Sequence, residues 1–126
     1  MHEPPELRKP FSSEDERAGF IVRLLEVDGR LEELRSAAAL EIPALRRSPA
    51  WTQISETPLV RGDSVEGRLR RWVTLYADDL DAIHQARNRL VHSTWLSDYD
   101  LRAAVWLGGE LLELITGGAS VHRTAS

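Results

Sequence analysis

A chain of 126 residues has the length of one domain, large enough to bury a core and too small to divide into two. Hydrophobic residues at 42% and charged residues at 29% exclude wholesale disorder, and no apolar run is long enough to span a bilayer. Without cysteine there are no disulfides, zinc-thiolate sites or thiol nucleophiles, and a formal charge of −4 argues against coating duplex DNA while allowing a small local phosphate site.

Residues 1–12 are polar and carry Pro4, Pro5 and Pro10, so they are expected to form a flexible arm with no leader pattern. A cytoplasmic location is the expectation. Ser13-Glu14-Asp15-Glu16 has the form of a capping box, which predicts a helix from about Glu14. Phe20, Leu24, Val27, Leu31, Leu34 and Ala38 then recur at steps of three and four, with Ile21 and Leu25 widening the stripe, and the helix should end before Pro43. Residues 41–62 hold Pro43, Pro49, Pro58 and Gly62, the composition of an irregular connection with a short helix near residues 44–48, pinned to the core by Trp51 and Ile54.

Asp63-Ser64-Val65-Glu66 offers a second cap, and Leu69, Trp72, Tyr76, Leu80, Ile83 and Leu90 follow at helical spacing, with Val73 and Val91 beside them. This predicts a second long helix running to about His92. A third is capped by Ser97 or Asp98, carries Leu101, Val105, Leu111, Leu112 and Ile115 on its apolar face, and stops at Gly117-Gly118. No segment alternates as a strand. The expected fold is all-α, an up-and-down bundle of three long helices plus short ones over residues 13–117, with a tail at 118–126. Gly108-Gly109 lacks the strand, lysine and glycine spacing of a phosphate loop, and close helix packing is its expected role. No serine sits in the turn that a nucleophilic serine needs.

The end of the second helix, "HQARNRLVHSTW" over residues 84–95, concentrates hydrogen-bonding groups where burial is expected. Continuing the stripe from Leu80 and Ile83 lands on Arg87 before Leu90, so Arg87 requires an anionic partner or a cleft. His84, Asn88 and His92 share a neighbouring face at steps of four, with Asp81 and Trp95 close to it. His84 and His92 are separated by roughly 12 Å at about 1.5 Å per residue, too far to chelate one ion from an intact helix. No metal is expected. The residue types suit phosphodiester chemistry: a histidine exchanges a proton near neutral pH, an arginine holds phosphoryl oxygens, and an asparagine orients either. The plainer alternative is that the arginines complement the helix dipole and His92 caps the carbonyl end.

"RNRLVH", residues 87–92, resembles the signature of the HEPN superfamily: an arginine, four to six residues, then a histidine, often with a polar residue directly after the arginine. Its position at the end of a long helix, with one more helix after it, matches as well. The resemblance implies a helical bundle, commonly paired so that two motifs meet in a composite cleft. It further implies metal-independent RNA cleavage leaving a 2′,3′-cyclic phosphate, in toxin–antitoxin, abortive-infection or CRISPR-linked defence. By the motif, Arg87 and His92 would be catalytic and Asn88 would orient or polarise, while His84 and Arg89 are expected to bind substrate. Members paired with nucleotidyltransferase antitoxins extend the motif to His-x-Tyr; Thr94 stands at that position here, which removes that acceptor and leaves the cleavage chemistry untouched.

The expected function is therefore a HEPN endoribonuclease acting as a toxin or phage-defence effector. Its partners would be RNA, a second copy of the chain and a cognate antitoxin or defence protein, with no cofactor and no membrane association. The alternative is a non-catalytic HEPN module that binds a nucleotide or a partner protein. Trp95 and Leu96, beside the motif, are expected as anchors of the homodimer interface.

Overall fold

The computed structural model describes residues 2–55, 64–92 and 94–116. Among these the chain is all-helical: a 3₁₀ turn at Pro5–Arg8 precedes α1 (Glu14–Ala38), α2 (Ile42–Arg46), α3 (Pro49–Ser55), α4 (Val65–Leu75), α5 (Ala77–Val91) and α6 (Asp98–Thr116).

The helix starts follow from their caps. Ser13 accepts the Glu16 amide at 3.1 Å, and Glu16 reaches back to the amide and hydroxyl of Ser12 rather than to Ser13 itself. Ser64 caps α4 through the Gly67 amide at 3.0 Å. Ser97 caps α6 through the Asp100 amide at 3.0 Å. Asp98, the other candidate cap, accepts instead from the Phe11 amide and the Arg17 guanidinium. The proposed stop at Gly117-Gly118 and the tail lie outside the described residues.

The second long helix is two helices. Backbone at Tyr76 turns out of helical geometry (φ −113°, ψ 23°) between α4 and α5. No proline marks this break. Thr74 donates its hydroxyl to the Arg70 carbonyl, a back-bond that bends helices, and acidic Asp78 and Asp79 suit the start of a new helix dipole. The connection also holds two short helices, α2 and α3, where one was expected; Pro43 and Pro49 fall in their first turns, where a missing amide hydrogen costs nothing.

Contacts fix the directions of the long elements. Arg35 meets Asp81 and Asp28 meets His84, so α1 and α5 run antiparallel. Arg17 meets Asp98, and Gly108 faces Val27, so α1 and α6 run the same way. The core between them is built from Leu24, Leu31 and Leu34 of α1, Leu69 and Trp72 of α4, Leu80 and Ile83 of α5, and Leu101, Leu111 and Ile115 of α6, closed by Leu45 and Ile54 from the short helices. The Trp72 indole donates to the Leu111 carbonyl at 3.0 Å, which satisfies its one polar atom inside the core. Gly108 is buried because α1 and α6 approach too closely there for a side chain.

The N-terminal segment, read from sequence as a loose arm, lies on the bundle in its described part. Pro5 opens the 3₁₀ turn, Leu7 is buried, and Phe11 packs on Phe20 with ring centres 5.1 Å apart while Arg102 stacks over Phe11 at 4.3 Å. Two apolar side chains and one cation therefore tie down a stretch whose prolines and charges suggest a free end.

Candidate functional site

The apolar stripe of α5 stops at Ile83. Beyond it no residue of the helix is buried: Ala86 and Leu90 rest partly on the core, and Val91 is exposed. At this point α1 supplies the only buried charged residue among those described, Asp28, with 5% of its side chain exposed. An ionised carboxylate in the interior costs several kcal/mol, roughly, unless it is paired. Two groups one turn apart on α5 meet it. His84 places Nδ1 3.2 Å from each Asp28 oxygen, and the Arg87 Nε stands 3.8 Å from Oδ2.

Arg87 thus has the anionic partner that its place on the stripe demands, and its side chain is 38% exposed. A second brace comes from Asn88, whose Oδ1 accepts from the Arg87 guanidinium at 3.1 Å. A guanidinium braced in this way, on a partly exposed side chain with donors left over, can grip an oxyanion.

The network continues along α1. Glu32, one turn beyond Asp28, lies 3.8 Å from the His84 Nδ1. Arg35 bridges Glu32 and Asp81, at 2.6 Å to each. Its burial opposes the charged form, but the two carboxylates outweigh that and raise its pKa.

His92 is separate from this group. It is the C-cap of α5, its backbone amide bonded to the Asn88 carbonyl at 2.9 Å. Its ring is exposed and has no hydrogen-bonding partner among the described residues. Because the helix continues to Val91, it does not end between Arg87 and His92, and their side chains leave it in directions about 140° apart at roughly 100° per residue.

Arg89 lies on another side of α5 from His84. It donates to the Trp95 carbonyl at 2.6 Å and lines a cavity of about 300 Å³ between α5 and α6, with Ile83, Ala86, Leu96 and Ala104. The two expected substrate-binding residues therefore do not face one spot. Of the two expected interface anchors, Leu96 is 1% exposed and belongs to this chain's own core, which removes it from that role. Trp95 is 69% exposed. One face of its ring is covered by the Arg17 guanidinium at 4.9 Å, which Asp98 and the Leu96 carbonyl hold at 2.8 Å each.

Asp28 and Glu32 escaped sequence reasoning, although a signal was present. Asp28 follows Leu24 by four and precedes Leu31 by three, so it sits within the apolar face of its helix as Arg87 does in its own. Two opposite charges that interrupt two apolar faces are candidates to meet. Spacing along α5 relates His84 only to His92, whereas the groups closest to His84 come from the helix opposite. No protein-family model matches the chain, and no match was found among curated proteins or solved structures.

Proposed function

We propose that this chain is a metal-independent endoribonuclease of the HEPN type, a toxin or phage-defence effector that works as a homodimer. The observation that carries the reading is the state of Arg87: braced on one side by Asp28 and Asn88, more than a third exposed, and within five residues of an exposed histidine at the helix end that has no side-chain partner among the described residues.

RNA brings its own nucleophile. In the proposed reaction one His92 takes the proton of the 2′-OH, the 2′ oxygen bonds to phosphorus, and the bond to the 5′ oxygen breaks. The departing oxygen takes a proton from the partner subunit's His92, leaving a 2′,3′-cyclic phosphate and a 5′-OH. Arg87 holds the non-bridging oxygens while negative charge grows on them, and Asn88 keeps the guanidinium aimed. The 140° divergence within one chain is why a second copy enters the proposal: packing two α5 ends about a two-fold axis brings both arginines and both histidines to one groove. Val91, the last residue of α5, and Trp95, just beyond it, are exposed.

The test is cleavage of labelled RNA in excess EDTA by the wild type, His92→Ala and Arg87→Ala, with circular dichroism as a check on folding. Cleavage by the wild type that either substitution abolishes supports the reading, as does growth arrest on expression that His92→Ala relieves. The orientation of Arg87 toward Asp28 favours a second reading, in which the guanidinium serves the α1–α5 contact and the cleft binds a nucleotide or a partner protein without chemistry. Absence of cleavage by the folded wild type would select it.

A further inference from the structure

Asp28 is under-used as an acceptor for a buried carboxylate. Its two oxygens share a single ring nitrogen at 3.2 Å, and the Arg87 Nε at 3.8 Å lies beyond hydrogen-bonding distance. A carboxylate offers about four lone-pair positions, and buried ones ordinarily fill them. Alongside stand a second carboxylate and an imidazole: one donor atom each from Asp28, Glu32 and His84 lie within 4.8 Å of one another.

We propose that Asp28, Glu32 and His84 form a binding site for a divalent transition-metal ion of the zinc class. Ligand atoms around a tetrahedral ion with bonds of ~2.1 Å stand about 3.4 Å apart. The His84 Nδ1 is 3.2 Å from Asp28 and 3.8 Å from Glu32, so two of the ligand separations already match. The helices supply the arrangement: Asp28 and Glu32 are four apart on one face of α1, and His84 faces them from α5. One nitrogen and two oxygens suit zinc better than magnesium or calcium, which take oxygen. Glu32 is 33% and His84 37% exposed, which leaves a path for the ion and room for water as a fourth ligand.

Binding displaces contacts without stranding any cation. Arg35 can release Glu32 and keep Asp81, and Arg87 keeps Asn88. His84 must present the Nδ1 lone pair, so a proton on that atom moves to Nε2 or to solvent; no electron is transferred. The ion would compete electrostatically with the Arg87 guanidinium for Asp28, which places it as a structural or inhibitory ion rather than a reagent.

The experiment measures zinc binding directly, independent of any RNA cleavage. Zn²⁺ is titrated into the full chain against a chromophoric chelator, with wild type, His84→Gln, Glu32→Gln and His92→Ala compared. Both polar replacements leave Asp28 in place, and circular dichroism verifies their folding. The expected result is one ion per chain with micromolar or tighter affinity, unchanged in His92→Ala. Loss of a ligand should weaken binding by more than the ~10- to 100-fold that removal of a supporting outer group costs. Wild-type binding no tighter than that of folded His84→Gln, or binding that disappears in His92→Ala, would overturn the proposal.

Discussion

The contact between α1 and α6 is tightest at Gly108, and the neighbouring glycine supplies an internal control. A Cβ added at Gly108 would run into the Val27 Cγ1 and come within 3.6 Å of its Cβ, whereas one added at Gly109 meets nothing within 4 Å. Both substitutions to alanine gain helix propensity, about 0.8–1 kcal/mol. Valine is stiff at χ1 in a helix, so Val27 cannot swing aside without leaving its preferred rotamer or moving α1. That overpacking costs about 1–3 kcal/mol. Gly109→Ala should therefore stabilise by about 0.5–1 kcal/mol, and Gly108→Ala should fall about 1–3 kcal/mol below it. Propensity cancels in the comparison. Urea and thermal melts followed at the helical circular-dichroism band would read the gap, at roughly 4 °C per kcal/mol for a domain of this size. Adding Val27→Ala to Gly108→Ala should recover much of the loss, a coupling that a double-mutant cycle measures. Equal stability of the two single variants would refute this account of helix spacing.

Asp28→Asn keeps shape and removes charge, so it should slow RNA cleavage by about 10- to 100-fold through a misplaced Arg87 while leaving the helical spectrum intact; an unchanged rate would detach Asp28 from the reaction. Light scattering at micromolar concentration should give about twice the 14.2 kDa chain mass. Trp95→Ala should lower that mass toward the monomer, and an active monomer would contradict the composite cleft. Glu16 accepts hydrogen bonds from the Ser12 amide and hydroxyl, and with Arg102 nearby its pKa is held below the ordinary 4.5. Its contribution is therefore present above about pH 4.5 and fades as pH falls through the lower folded value. Glu16→Gln should lower the urea midpoint near neutrality and converge with the wild type in acid; a constant gap across pH would show that its charge is not the cause.

How much of this was legible beforehand depended on whether the signal was local. The helix starts at Ser13, Ser64 and Ser97 could be read because a cap and the stripe behind it lie within a few residues. The break at Tyr76 could not, since the apolar spacing runs through it undisturbed and Thr74 bends the chain through a backbone carbonyl. Arg87 announced its need for an anion by interrupting a stripe, but the identity of that anion is a fact about packing between helices 59 positions apart in sequence. Leu96 shows the reverse: an apolar residue beside a polar cluster suggests a partner's surface, yet it is buried in its own chain's core.

The halt of the apolar stripe at Ile83 divides α5 into a length held by packing and a length held by charge. The first rests on Leu80 and Ile83, buried contacts that dissolved ions do not screen, with the Arg35–Asp81 pair only at its edge; the second, with the His84 and Arg87 side chains each more than a third exposed, is screened over a Debye length of about 8 Å at physiological ionic strength. Added salt should loosen the last two turns while the bundle stays closed, visible as amide exchange that salt speeds more at residues 84–91 than at residues 80–83, whose amides are bonded within the helix. The arginine–histidine segment is then a region whose order follows the ionic composition of its surroundings, on a scaffold that ignores it.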